Sequence, residues 1–290
     1  MSKLHIAFLG LGIMGSGMAQ RLLINGFPLT VFNRNPEKSK PFASEGAHVA
    51  ASPREAAAQA DVIISMVADD VAARSLWLGD NGALTAAKSG VVCIECSTVT
   101  FDWVRELAAA AAARGGEFLD APVTGSKNQS AAGELNFLVG GSASTLEKVR
   151  PVLAAMSKTT IHLGPTGSGA MVKLINNFVC GVQVAALAEA LAMIERSGLD
   201  RAKALEVLSC GAPGSPLVKA VSLRMTTPDF TPNFLLRLMA KDLGYAIQEG
   251  GKLSVELTTG KAALEDFQRA VAAGHGGKDI AAVVEPLRKH

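Results

Sequence analysis

Residues 4–18, LHIAFLGLGIMGSGM, decide the fold. A short apolar, β-rich run passes without a break into Gly10-Leu11-Gly12-Ile13-Met14-Gly15, and a helical run follows. Glycines spaced G-x-G-x-x-G carry little meaning alone. Between a strand and a helix each has a task. The first makes the tight turn, the second lets a pyrophosphate reach the backbone, and the third lets the helix pack on the strand. Gly10, Gly12, Ile13, Met14 and Gly15 are therefore candidate cofactor-binding residues.

Outward from this loop, short β-rich runs alternate with helical ones as far as residue 165. LHIAFLG, PLTVFN, VIISMV, GVVCIE, EFLDAP, LNFLVG and TIHLG read as strands. Helix starts are legible between them: Asn35-Pro36, and Ser52-Pro53-Arg54-Glu55 with its glutamate placed for a capping box. The alanine-rich run 107–114 is helix-forming. This alternation means a mostly parallel sheet with helices on both faces, a Rossmann-type doubly wound α/β domain. Past Gly164-Pro165 the strands stop. Helical runs extend to about Arg196 and then lie near 200–209, 214–226, 239–250, 255–273 and 277–288, punctuated by Gly198, Gly211, Pro213, Gly214, Pro228 and Pro232. The expected organisation is a dinucleotide-binding domain over 1–165 and an all-α domain over 166–290, with a long interdomain helix.

Hydrophobic residues make up 49% of the 290 and charged ones 19%, which excludes a disordered chain. A formal net charge of +2 offers no basic excess for a phosphate backbone, so nucleic acid is not an expected partner. Four cysteines and an N-terminus without signal-peptide regions point to a reducing, cytoplasmic setting. Residues 174–188, LINNFVCGVQVAALA, carry no charge, yet they are interrupted by Asn176, Asn177 and Gln183 and fall short of the ~20 residues of a membrane span. They read as the middle of a buried helix. His5, His48, His162, His275 and His290 show no metal-ligand spacing, and no metal is expected. Cys93-x-x-Cys96 falls in a strand run, where residues three apart face opposite ways and the thiols cannot meet.

The end of the second strand run bears on the cofactor. An NAD enzyme wants an acid there to accept from the ribose 2′-hydroxyl, and this chain has Val31-Phe32-Asn33-Arg34. A neutral Asn33 with Arg34, and Lys38 one turn on, suits the 2′-phosphate of NADP. An Arg34 that only faces solvent is the other reading. Two further constellations are candidates for chemistry. Lys173 enters the uncharged helix behind Gly167 and Gly169, with Asn177 four residues on and on the same helix face. A lysine there needs a task, a structural partner, or a route for its ammonium to water. Asp120-Ala-Pro-Val-Thr124-Gly125-Ser126 follows a strand, and its N–H groups and two hydroxyls suit a substrate carboxylate as well as a plain turn.

In order and spacing, GLGIMGSGM (10–18), DAPVTGS (120–126), GSGAMVKLINN (167–177) and FLLRLMAKDL (234–243) resemble the motifs of the β-hydroxyacid dehydrogenase family. That family includes 3-hydroxyisobutyrate dehydrogenase, tartronate semialdehyde reductase and glyoxylate/succinic semialdehyde reductase. The resemblance covers nearly the whole chain and implies hydride transfer between a nicotinamide and a small hydroxy acid or aldehyde acid. It implies Lys173 as the acid/base and Asn177 as the residue that positions substrate or lysine. Thr124, Gly125 and Ser126 would bind the carboxylate. Val67, Ala68 and Thr98 join the cofactor contacts, with Ser97-Thr98 lining the nicotinamide pocket, and Lys241 would approach both cofactor and substrate. Thr124 stands where the family usually has serine. Ser126-Lys127 and Asn33-Arg34 are more similar to the glyoxylate/succinic semialdehyde branch, which implies a short ω-oxo acid or glyoxylate as substrate.

Other readings share the architecture. Imine reductases typically carry Asp or Tyr at the position of Lys173, a non-catalytic NADP-binding scaffold would lack that lysine, and 6-phosphogluconate dehydrogenase would bring a larger helical domain. The apolar long helix and the Ala- and Leu-rich helices after it lead us to expect a homodimer or homotetramer built through the helical domains.

Overall fold

The computed structural model describes residues 3–227 and 230–288, so Pro228 and His290, named above, lie outside the described residues. The chain forms two units, Met1–Lys173 and Leu174–His290. The strand alternation ends at Gly164, while the division between units falls after Lys173, inside a helix that runs from Ser168 to Arg196.

The first unit is built on β1 (Ile6–Leu9), β2 (Leu29–Phe32), β3 (His48–Val49), β4 (Val62–Ser65), β5 (Val92–Glu95), β6 (Glu117–Asp120), β7 (Val123–Thr124), β8 (Leu135–Gly141) and β9 (Ser157–Gly164). Their order is β3-β2-β1-β4-β5-β6-β8-β7, with β9 paired to β8. The first six pair in parallel, giving the doubly wound order 3-2-1-4-5-6. β8 then runs antiparallel to β6 and β7. Two strands have no counterpart in the sequence reading, β3 and β7. β7 exists only because Val123 and Thr124 pair with Phe137 and Asn136 of β8, a non-local partner that local pattern does not report.

Side chains alternate across the sheet, so each strand feeds two cores. Ile6, Phe8, Ile64 and Ile94 pack on one face with Met18 and Leu22 of the first helix, Gly15–Ile24. Ala7, Leu9 and Ile63 pack on the other with Trp77, Trp103 and Leu107. Each large side chain buried this way contributes ~1.5–3 kcal/mol. Cys93 and Cys96 end in different cores, both as free thiols. Burial pushes the Cys93 thiol up to about 12 and raises Cys96 as well, so neither is poised for thiolate chemistry.

The second unit is helical. After the long helix come Arg201–Cys210, Pro216–Thr226, Leu236–Lys252 and Thr258–Ala270. Leu187, Leu191, Val221, Leu236, Met239, Leu243 and Phe267 meet in its core. Among the described residues, Ser168–Arg196 is the one helix long and apolar enough to cross a membrane by length and composition. Its Val184, Ala188 and Leu191 belong to the core. It is not buried on every side, as the composition had implied. Val172, Ile175 (53% exposed), Val179 and Met193 (73%) face outward. At about 100° per residue, Ile175 and Val179 project roughly opposite to Lys173 and Asn177.

Candidate active site

The glycine loop is shaped by what a side chain would strike. Gly10 has φ +104°, and a Cβ there would lie 2.3 Å from the Met66 carbonyl oxygen. A Cβ on Gly15 would lie 1.9 Å from the carbonyl oxygen of Gly10. Gly12 is different: nothing lies within 4 Å of its Cβ position, which leaves open space over the backbone. The helix that starts at Gly15 has no side-chain cap from Met14 and no acid in its first turn. Its first N–H groups therefore suit an anion. Room over Gly12 and an uncapped, acid-free helix start fit a dinucleotide pyrophosphate.

Asn33, just past β2, serves the same loop. Its Oδ1 accepts the Leu11 N–H at 2.9 Å, and its Nδ2 donates to the Asn35 carbonyl at 2.9 Å. A carboxylate could accept the first but not donate the second. Arg34 and Lys38 beside it are exposed.

The ends of β4 and β5 form a second layer. The Val67 N–H donates to Ser97 Oγ at 2.8 Å, and the Ser97 N–H donates to Glu95 Oε1 at 2.9 Å. Trp77 Nε1 lies 3.0 Å from both Glu95 Oε2 and Ser65 Oγ. Burial pushes the Glu95 carboxyl above the usual range, while the donors from Ser97, Ser65 and Trp77 work against that rise. Ser97 is buried and holds the Val67 loop, whereas Thr98, Val67 and Ala68 are half-buried. Of the pair expected to line the nicotinamide pocket, Thr98 is partly accessible and Ser97 is buried.

The third element is the 120–126 segment. Thr124 pairs with Asn136, whose Nδ2 lies 3.4 Å from Thr124 Oγ1. Gly125 is exposed, with φ +127° and Leu135 2.8 Å from its Cβ position, so the turn requires glycine. Ser126 donates its N–H to Gln129 Oε1 at 3.0 Å, and its hydroxyl donates to the same oxygen. That makes Ser126 the start of the short helix Lys127–Ala132. Ser130 of this helix donates to the Met14 carbonyl at 2.6 Å, and a Cβ on Gly17 would lie 2.6 Å from its hydroxyl oxygen. The 120–126 segment and the glycine loop are thus tied to each other, a link that sequence reading missed.

Asp120 opens this segment and is fully buried. Its carboxylate accepts the Gly167 N–H at 2.7 Å and the Ala170 N–H at 2.9 Å. Burial pushes this carboxyl up, and the amides of Gly167, Ala170 and Gly169 pull against the rise. Lys173 follows one turn later on the same helix and is half-buried.

The second unit has a cluster of its own. Asn177 is buried; its Nδ2 donates to Asp242 Oδ2 at 2.6 Å, and its Oδ1 accepts from Asn176. Lys241 Nζ lies 3.0 Å from Asp242 Oδ1 and 4.9 Å from the centre of the Tyr245 ring. Asp242 was not anticipated. An acid directly after a lysine, inside an apolar helical run, is the signal that could have found it. Among the described residues no group of His, Cys, Asp and Glu could hold a metal ion.

Residues 5–164 match the family model described as the NAD-binding domain of 6-phosphogluconate dehydrogenase. Residues 167–287 match the one described as NAD-binding of NADP-dependent 3-hydroxyisobutyrate dehydrogenase. Glyoxylate/succinic semialdehyde reductase 1 of Arabidopsis thaliana is 34% identical over 98% of this chain and 99% of its own length. NAD-dependent L-serine dehydrogenase of Pseudomonas aeruginosa is 36% identical, covering 96% of each. Among solved structures, 3-hydroxyisobutyrate dehydrogenase of Mycobacterium tuberculosis with L-serine superposes with a TM-score of 0.88 at 34% identity, covering 99% of both chains.

Proposed function

The chain belongs to the β-hydroxyacid dehydrogenase family, and from that premise we propose that it is an NADPH-preferring reductase of small aldehyde acids, of the glyoxylate or succinic semialdehyde type. The observation that carries the reading is the position of Lys173, one turn into a helix whose start is hydrogen-bonded to the first residue of the 120–126 segment. When bound, the reduced nicotinamide supplies the hydride. The Lys173 ammonium donates a proton to the alkoxide oxygen that develops on the substrate, which combines acid catalysis with stabilisation of the growing charge. Thr124 and the exposed backbone at Gly125 take the substrate carboxylate, and Ser126 shapes that turn. Holding the carboxylate there fixes which carbonyl faces the hydride.

Preference for NADP rests on Asn33, Arg34 and Lys38. Asn33 puts no negative charge at the end of β2, and the two exposed cations are positioned in sequence to meet a 2′-phosphate. A second reading is oxidation of a β-hydroxy acid such as L-serine with NAD. It is favoured by the relative named as an L-serine dehydrogenase and by the solved relative carrying L-serine. Steady-state turnover of glyoxylate, succinic semialdehyde, 3-hydroxyisobutyrate and L-serine with each cofactor separates the two. The expected result is highest kcat/KM for an aldehyde acid with NADPH. Equal or better rates with NADH overturn the cofactor preference, and turnover of L-serine alone establishes the second reading.

The outward apolar row Val172, Ile175, Val179 and Met193 supports assembly through the long helix into a homodimer, or a tetramer of dimers. Sedimentation at micromolar concentration tests this, and a stable single-chain species overturns it.

A further inference from the structure

We propose that Asp120 is a positioning residue for the reaction, setting the place of Lys173 relative to the segment that takes the substrate. The proposal rests on the reading of Lys173 as the proton donor. Asp120 is the last residue of β6, and its carboxylate is bonded to the start of the long helix.

Three features make this a built junction. The carboxylate spans the helix start, with Oδ1 on Gly167 and Oδ2 on Ala170, so it fixes both the position of the first turn and its rotation about the axis. Both donors are backbone amides, and a carboxylate at a helix N-terminus meets the positive end of the helix dipole. The strands leave room for it: a Cβ on Gly140, the residue facing Asp120 across β6 and β8, would lie 2.6 Å from Oδ1. A Cβ on Gly169 would lie 2.1 Å from the Leu138 carbonyl oxygen and 2.8 Å from that of Asp120. Backbone therefore sits directly on backbone here, and the helix has little freedom to shift while the carboxylate is in place.

Lys173 lies three residues beyond Ala170, roughly 4.5 Å along the axis. A small change in the seat of the first turn reaches Lys173 almost undiminished, because a helix transmits it as a rigid rod. An error near 1 Å in the placement of a reacting group is enough to cost about 10²-fold in rate. Asp120→Asn keeps the shape and one acceptor but turns an NH2 group toward one of the two amides. The helix then keeps one tie and loses the other.

The test is a double-mutant cycle on the full chain with Asp120→Asn, Lys173→Ala and the pair, reading kcat, NADPH affinity by fluorescence titration, and melting temperature. Asp120→Asn is expected to lower kcat by about 10- to 100-fold and to leave the NADPH dissociation constant within about twofold. In the Lys173→Ala background the same substitution should change the residual kcat by less than about twofold, since a residue that acts through Lys173 has nothing left to act on. Full loss in that background, or NADPH affinity falling in step with kcat, overturns the positioning role. So does a folded Asp120→Asn protein with the parent's kcat. Wild-type turnover in Lys173→Ala alone overturns the reading of Lys173, a different outcome. If the amide variant does not fold, Asp120→Ser fits the same space, keeps one acceptor, and carries the same expectation.

Discussion

Two buried aspartates do similar work by different means. Asp120, in the α/β unit, is held by the backbone amides of Gly167 and Ala170. Asp242, in the helical unit, is held by the side chains of Asn177 and Lys241. Backbone donors are the same whatever residue supplies them, so the Asp120 junction asks for glycine where chains must touch and for little else. A side-chain cluster asks for particular residues at three positions. The first kind of anchor is rigid and almost silent in sequence; the second is written in residue types and is easier to retune.

The largest expected effect comes from what the backbone-held junction serves. Lys173→Ala should lower kcat by about 10²–10⁴, the range for loss of a general acid, with NADPH binding nearly unchanged. The contrast sharpens if methylamine restores part of the rate, because the helix start held by Asp120 would still be in place around the vacated position. Parent-like turnover would mean that the proton comes from elsewhere.

The second effect probes the side-chain-held cluster. Asp242→Ala removes the acceptor of the Asn177 amide and the counter-charge of Lys241 together. Stripping one partner from a buried hydrogen bond costs about 1–3 kcal/mol, and we expect destabilisation of that size in chemical denaturation, with kcat/KM roughly 10-fold lower. Asp120→Asn should instead lose rate with a smaller loss of stability. If the two variants show the same ratio of rate loss to stability loss, the distinction between the anchors fails.

The same distinction explains what could be seen in the sequence. The glycine loop was legible because its constraints are steric and only glycine meets them: Gly10 and Gly15 face backbone oxygens, and Gly12 faces open space. The parallel sheet with helices on both faces followed from alternation, while the order of its strands needed the structure. Asn33 was read for its missing charge, while its two-way bond to Leu11 and Asn35 needed coordinates. Lys173 stood out as a charge entering an uncharged run. Asp120 lay inside a quoted motif without a role, because its partners are amides 47 and 50 residues away that have no letter of their own. Ser126 looked like a ligand-binding hydroxyl and is engaged with Gln129. The long helix was known to be apolar, but which face stays outside depends on packing that composition does not encode.

The smallest effect concerns a third buried carboxyl that combines both kinds of anchor. Glu95 accepts from the backbone of Ser97 and from the side chain of Trp77. Burial is the largest influence on it and raises its pKa in the folded protein; the donors oppose the rise without cancelling it. A carboxyl whose folded pKa lies above its unfolded value contributes stability that is fully present below the unfolded value, near 4.3, and that is lost as pH rises through the folded value. Glu95→Gln has no charge to bury. Its melting temperature relative to the parent should therefore climb as the pH rises above the ordinary carboxylate range, by on the order of 2 °C. The amide places an NH2 against one of the two donors, so the variant starts at a disadvantage at low pH and recovers ground as the parent ionises. Trp77 reports locally, because its indole N–H points at this carboxyl: the parent's fluorescence should titrate over the same interval, and that of Glu95→Gln should not. A melting difference that stays flat across the range would mean that Ser97, Ser65 and Trp77 compensate the burial of Glu95 in full, which the amides around Asp120 do not do for that carboxyl.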